Sequence, residues 1–115
     1  MPPKPKTKKA AKTKAKATES AVRVVYVFWH SSHDPQNNAE LYCACVKNSP
    51  ARQDGCDVRC RLVDLALQPP DPAAKHASGN TIEVVSVKDD QKVGSLLNPS
   101  FSCTEINDLV DELCQ

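Results

Sequence analysis

One run, residues 22–30 (VRVVYVFWH), constrains the fold more than any other stretch. β-Branched and aromatic residues fill it and no Gly or Pro interrupts it, a combination that selects a strand. Val22, Val24, Tyr26 and Phe28 fall on one face, and Val25, Val27 and Trp29 on the other. Apart from Arg23 both faces are apolar, as in a central strand covered on both sides. The core is expected to start here.

At 115 residues the chain is one domain at most. Its net charge of +1 conceals a split. Residues 1–16 hold seven Lys and no acid, leaving eight Lys/Arg against fourteen Asp/Glu in the remainder, a net of −6. A basic arm therefore precedes an acidic body. Residues 1–20 (MPPKPKTKKAAKTKAKATES) are low in complexity, have nothing to bury, and are expected to be a disordered tail. Residues 21–115 are expected to form the single folded domain. Lys8, Lys12 and Lys16 lie at i, i+4 and i+8, so any induced helix would carry a basic stripe. Over this segment the composition resembles the Lys/Ala/Pro tails of linker histones and other chromatin proteins. The cluster around residues 4–9 also reads as a nuclear-localisation signal. Both point to contact with nucleic acid or another polyanion through Lys4, Lys6, Lys8, Lys9, Lys12, Lys14 and Lys16, without sequence preference. The plainer alternative is a tail that serves import or solubility alone.

The N-terminus has no apolar core of a secretory signal, and no run approaches the roughly 18 apolar residues of a membrane span. A nuclear or cytoplasmic setting without membrane contact is therefore expected. In that setting the six Cys default to free thiols.

Residues 31–38 (SSHDPQNN) read as a loop. Residues 40–47 (ELYCACVK) read as a second strand, antiparallel to the first, with Leu41, Cys43 and Cys45 on one face and Tyr42, Ala44 and Val46 on the other. Residues 50–67 are two-sided. Val58, Cys60 and Leu62 alternate like a strand, but Ala51, Gly55, Val58, Leu62 and Leu65 step at helical spacing. Ser49 suits an N-cap, Pro50 suits the first helical position, and Pro69 and Pro70 stop the segment, so a helix is expected. Strands follow at 81–88 and 93–97. A last helix opens at Ser102, with Glu105 completing a capping box and Ile106, Leu109, Val110 and Leu113 as the buried stripe. The expected architecture is a small single α+β domain of ββαββα order, an antiparallel sheet packed against two helices.

His30, His33, Cys43, Cys45, Cys56 and Cys60 crowd into 31 residues. Two thiolates on one zinc lie about 4 Å apart, whereas Cys43 and Cys45 on a strand stand about 7 Å apart. Core thiols are therefore expected, with no metal site, and redox chemistry is the residual reading. His30, His33 and Asp34 form the most catalytic-looking cluster, with Cys43 or Cys45 within reach of His30 if the hairpin forms. Only three Gly are present and none cradles a phosphate, so no catalytic residue and no cofactor is expected. Arg52, Arg59 and Arg61 interleave with Asp54, Asp57 and Asp64 as a salt-paired helix face. The expected function is a non-enzymatic binding or adaptor protein. Its tail contacts nucleic acid or a polyanion, and its body mediates protein interaction or self-association. The other readings are an interaction or structural domain with an import tail, and a small zinc- or thiol-dependent protein using His30, His33 and Cys43.

Overall fold

The computed structural model describes residues 22–115. Segment 1–21 lies outside the described residues, and with it the expected disordered tail and its seven lysines.

The valine-rich run forms strand β1 (Arg23–Trp29) at the centre of a four-stranded sheet. Strand β2 (Arg59–Asp64) pairs with it in parallel, and β3 (Glu83–Lys88) pairs antiparallel on its other side. Strand β4 (Gln91–Leu97) completes the order β2-β1-β3-β4, antiparallel to β3. Val25 and Val27 are fully buried on one face and Phe28 on the other, as the two apolar faces of the run require.

The sheet is therefore mixed, not antiparallel, and the reason lies in residues 36–47. The expected second strand is a helix, α1 (Gln36–Lys47). Of its buried residues, Ala39, Tyr42, Cys43 and Val46 fall at i, i+3, i+4 and i+7, the core stripe of a helix, with Cys45 buried at the stripe's flank. Leu41, expected to share a face with Cys43 and Cys45, is 54% exposed. Gln36 donates to the Glu40 carboxylate one turn on. Parallel strands need a crossover, and α1 supplies it between β1 and β2 while covering the sheet.

The helix expected over 50–67 is one turn, α2 (Pro50–Gln53), followed by a bend and then β2. Gly55 sits in that bend at φ +107°, a conformation side chains resist. Arg52 pins the bend, donating to the carbonyls of Val58 and Lys47. Ser49 holds the N-cap position but its hydroxyl caps nothing. Asp64 follows Cys60 and Leu62 on the same face of β2, and its carboxylate accepts the amides of Ser31 at 3.1 Å and Ala66 at 2.9 Å at the strand's end.

Strands β3 and β4 turn at Asp89 and Asp90, both left-handed at φ 51° and 66°, the two-residue hairpin that matches strand twist. Helix α3 (Thr104–Leu113) buries Ile106, Leu109, Val110 and Leu113, the expected stripe. The expected capping box is replaced. Cys103 holds the N-cap position, and Glu105 accepts the amide and hydroxyl of Ser100 instead. Helix α3 presses so close to β4 that a Cβ on Gly94 would lie 3.1 Å from Leu109 Cδ1.

Helices α1 and α3 share one face, packed on Val25, Val27 and Val84. The other face carries Phe28, Val63, Val85 and Val87 and is covered through Ala73 by a short 3-10 helix, Pro72–His76. The α+β class stands, and the element order is βααβββα in place of ββαββα.

Candidate functional site

All six cysteines lie among the described residues, and four are paired. Cys45 near the end of α1 bonds Cys103 at the N-cap of α3, with Cα atoms 5.4 Å apart. Cys56, in the turn before β2, bonds Cys114 at the C-cap of α3, at 6.2 Å. Helix α3 is thus fastened at both ends, once to α1 and once to the α2–β2 turn. The free thiols expected at these four positions are corrected to two disulfides. Connectivity of this kind is set by tertiary contact and is not deducible from spacing.

Cys43 and Cys60 remain free. Cys43 projects from the core face of α1, and Cys60 from the edge strand β2 that α1 covers. The two side chains belong to one core cluster at the helix–strand seam, where a hydrogen bond from Cys60 is the largest influence on the Cys43 thiol. That hydrogen bond favours the Cys43 thiolate. It outweighs burial, which acts the other way, and nearby Lys47 helps, so the Cys43 thiol is lowered to about 7. Cys60 moves the opposite way. Donating to Cys43 holds its proton, and burial together with the Cys43 charge pushes it up further. Cys43 is thus the more acidic thiol of the pair, and Cys60 the one that holds its proton. Cys43 is 7% exposed and Cys60 is half-buried, so the seam opens to solvent on the β2 side.

Neither a protein-family model nor a curated protein matches the sequence. Among solved structures, a thioredoxin point mutant from Halobacterium salinarum NRC-1 matches with a TM-score of 0.56 at 13% identity, covering 81% of this chain and 75% of that one. The fold is thioredoxin-like.

That finding and the cysteine arrangement overturn the nucleic-acid-binding adaptor expected from the charge split. The described body is a thiol-rich thioredoxin-like domain, and nothing in it points to nucleic acid or to a nuclear location. Lys4, Lys6, Lys8, Lys9, Lys12, Lys14 and Lys16 lie outside the described residues. The C-x-x-C spacing by which exchange sites are usually recognised in sequence does not occur here; the closest pairs are Cys43-x-Cys45 and Cys56-x3-Cys60. The two free thiols stand on separate elements, α1 and β2.

The His30, His33 and Asp34 cluster forms, but away from the thiols. Its residues lie in the loop leading from β1 to α1, with the imidazoles stacked at 4.5 Å. His30 Nδ1 is 2.5 Å from Ser32 Oγ, and Asp34 accepts the His30 amide. These bonds fasten the loop ahead of α1. Among the described residues no group of three or more His, Cys, Asp or Glu is placed to hold a metal ion. Arg59 and Arg61 stand on β2 rather than on a helix, and Arg61 pairs with Asp71. Cys43 was flagged in the sequence as a thiol of interest. Cys60 stands in the same Cys/His cluster, but its proximity to Cys43 is legible only from their helical and strand periodicities read together with a βαβ crossover.

Proposed function

We propose that this domain is a thiol–disulfide exchange protein whose exchanging couple is Cys43 and Cys60. The observation that carries the reading is the pair of free thiols packed in one core cluster once the other four cysteines are paired, with their acidities pushed apart. The Cys43 thiolate attacks one sulfur of a substrate disulfide, forms a mixed disulfide and expels the first substrate thiolate. That thiolate takes the Cys60 proton. The Cys60 thiolate then attacks the Cys43 sulfur, closes the Cys43–Cys60 disulfide and releases the second substrate thiolate, which is protonated from water. Two electrons pass from the protein dithiol to the substrate disulfide, and the reverse sequence oxidises a substrate dithiol.

The edge position of β2 gives a substrate its approach. Local opening of the α1–β2 seam exposes Cys43, and such opening requires less free energy than global unfolding. The two fastening disulfides favour an oxidising compartment for this chemistry.

A second reading has the burial of Cys43 in its favour: Cys43 and Cys60 close a third structural disulfide and exchange with nothing. Turnover separates the two. Protein reduced at Cys43 and Cys60 is mixed with a disulfide-bonded peptide, and thiol release is followed. The exchange reading expects stoichiometric reduction that stops at the mixed disulfide in Cys60→Ala and is lost in Cys43→Ala. Equal release from wild type and Cys43→Ala contradicts it.

A further inference from the structure

On the sheet face away from the thiols, between β1, β2 and the 3-10 helix, lies a cavity of about 310 Å³. Its walls bring together Tyr26, Arg61, Asp71, Lys75, His76 and Asp90. A second, mainly apolar cavity of about 280 Å³, lined by Val22, Val24, Val87 and Asp89, adjoins it and shares Tyr26 and Asp90; the Asp89 carboxylate there accepts the Val22 amide. The Tyr26 ring stacks on the His76 imidazole at 6.0 Å, and the Arg61 guanidinium lies 5.7 Å over the same ring. Three nitrogen-bearing side chains thus converge around one aromatic floor beside an apolar slot.

Two carboxylates answer these groups, and they are not equivalent. Asp71 is part of the scaffold, capping the 3-10 helix through the Ala73 amide while bonding Arg61. Asp90 is 66% exposed at the tip of the β3–β4 hairpin. It reaches back to Lys75 Nζ at 2.6 Å and His76 Nε2 at 3.3 Å. His76 itself is 8% exposed, so the Asp90 carboxylate places a negative group on a buried imidazole from outside. An exposed ion pair of the Lys75–Asp90 kind is screened by water and readily exchanged.

We propose that this cavity binds a small organic anion, with Asp90 as the displaceable occupant of its anion position. The acid group of the ligand, a phosphate or a carboxylate, replaces the Asp90 carboxylate on Lys75 and His76. Arg61 adds a planar donor fork from the β2 side. The apolar or aromatic remainder of the ligand enters the slot beyond Tyr26. The site lies on the opposite sheet face from Cys43 and Cys60 and does not depend on their chemistry.

The test follows the side-chain resonances of His76 and Tyr26 in the full chain during titration with phenyl phosphate, phenylacetate and uncharged benzyl alcohol. Observation at His76 separates this site from any binding to the N-terminal lysines. Saturable shifts with either anion and none with benzyl alcohol are expected, and the stronger anion identifies the head group. Asp90→Asn removes the competing carboxylate and should tighten binding by about two- to fivefold, the worth of an exposed ion pair. Lys75→Ala, an exposed change that leaves the fold intact, should weaken it. Absence of saturation at His76 with both anions overturns the proposal, as does an affinity that Asp90→Asn leaves unchanged or reduces.

Discussion

Cys43 is an acid held between opposing influences. The hydrogen bond from Cys60 stabilises its thiolate, burial opposes that, and Lys47 adds a favourable charge, leaving the group at about 7. Removing the donor tests the balance. In Cys60→Ala the thiolate loses its largest support, and the Cys43 titration should move up toward the ordinary thiol range near 8.5. At pH 7 the ionised fraction then drops, and alkylation of Cys43 by iodoacetamide should slow by about tenfold. Its pH–rate midpoint should rise by at least one unit. A midpoint still near 7 would assign the effect to Lys47 and sever the link between the two thiols. Residue type alone carried little of this. Cys43 and Cys60 were legible as small buried groups, but their unequal acidities arise from a contact between residues on different elements.

At the scale of elements, the bend before β2 is the informative place. Gly55 has open space where a Cβ would go, yet its φ of +107° lies in a region that L side chains resist. Gly55→Ala should therefore destabilise the domain by about 1 to 2 kcal/mol, read as a lower Tm. An increase in Tm would mean the bend tolerates a helical geometry. Strands β1, β3 and β4 and helix α3 were legible because their periodicity and their burial agree. Residues 40–47 were misread because Leu41, Cys43 and Cys45 alternate as a strand would. The competing helical stripe of Ala39, Tyr42, Cys43 and Val46 begins at Ala39, outside that alternating run. Residues 50–67 failed in the other direction. Ala51, Gly55, Val58, Leu62 and Leu65 mimic a helical stripe, although Gly55 bends the chain and Arg59 to Asp64 join the sheet edge. In both cases the deciding term was tertiary: a parallel partner for β1 needs a helix before it and a strand at its edge.

Over the whole molecule, four cysteines are paired and two are free. The disulfides Cys45–Cys103 and Cys56–Cys114 each span 58 residues and fasten α3 to the rest of the domain. By chain entropy each is worth about 4 kcal/mol, enough to resist mild reductants. The third pair has a stabilised thiolate in its reduced form, which raises its tendency to accept electrons. The sequence offered six cysteines and therefore fifteen possible pairings, so this division was not readable before the fold was known. The most direct test is a redox titration in graded thiol/disulfide buffers, trapped by alkylation and resolved cysteine by cysteine by peptide mass. The account predicts that Cys43 and Cys60 oxidise and reduce together as one two-electron couple. Its midpoint should lie at a more oxidising potential than those at which Cys45–Cys103 and Cys56–Cys114 open. Cys43 and Cys60 remaining reduced throughout, or closing only together with the two fastening disulfides, would contradict it.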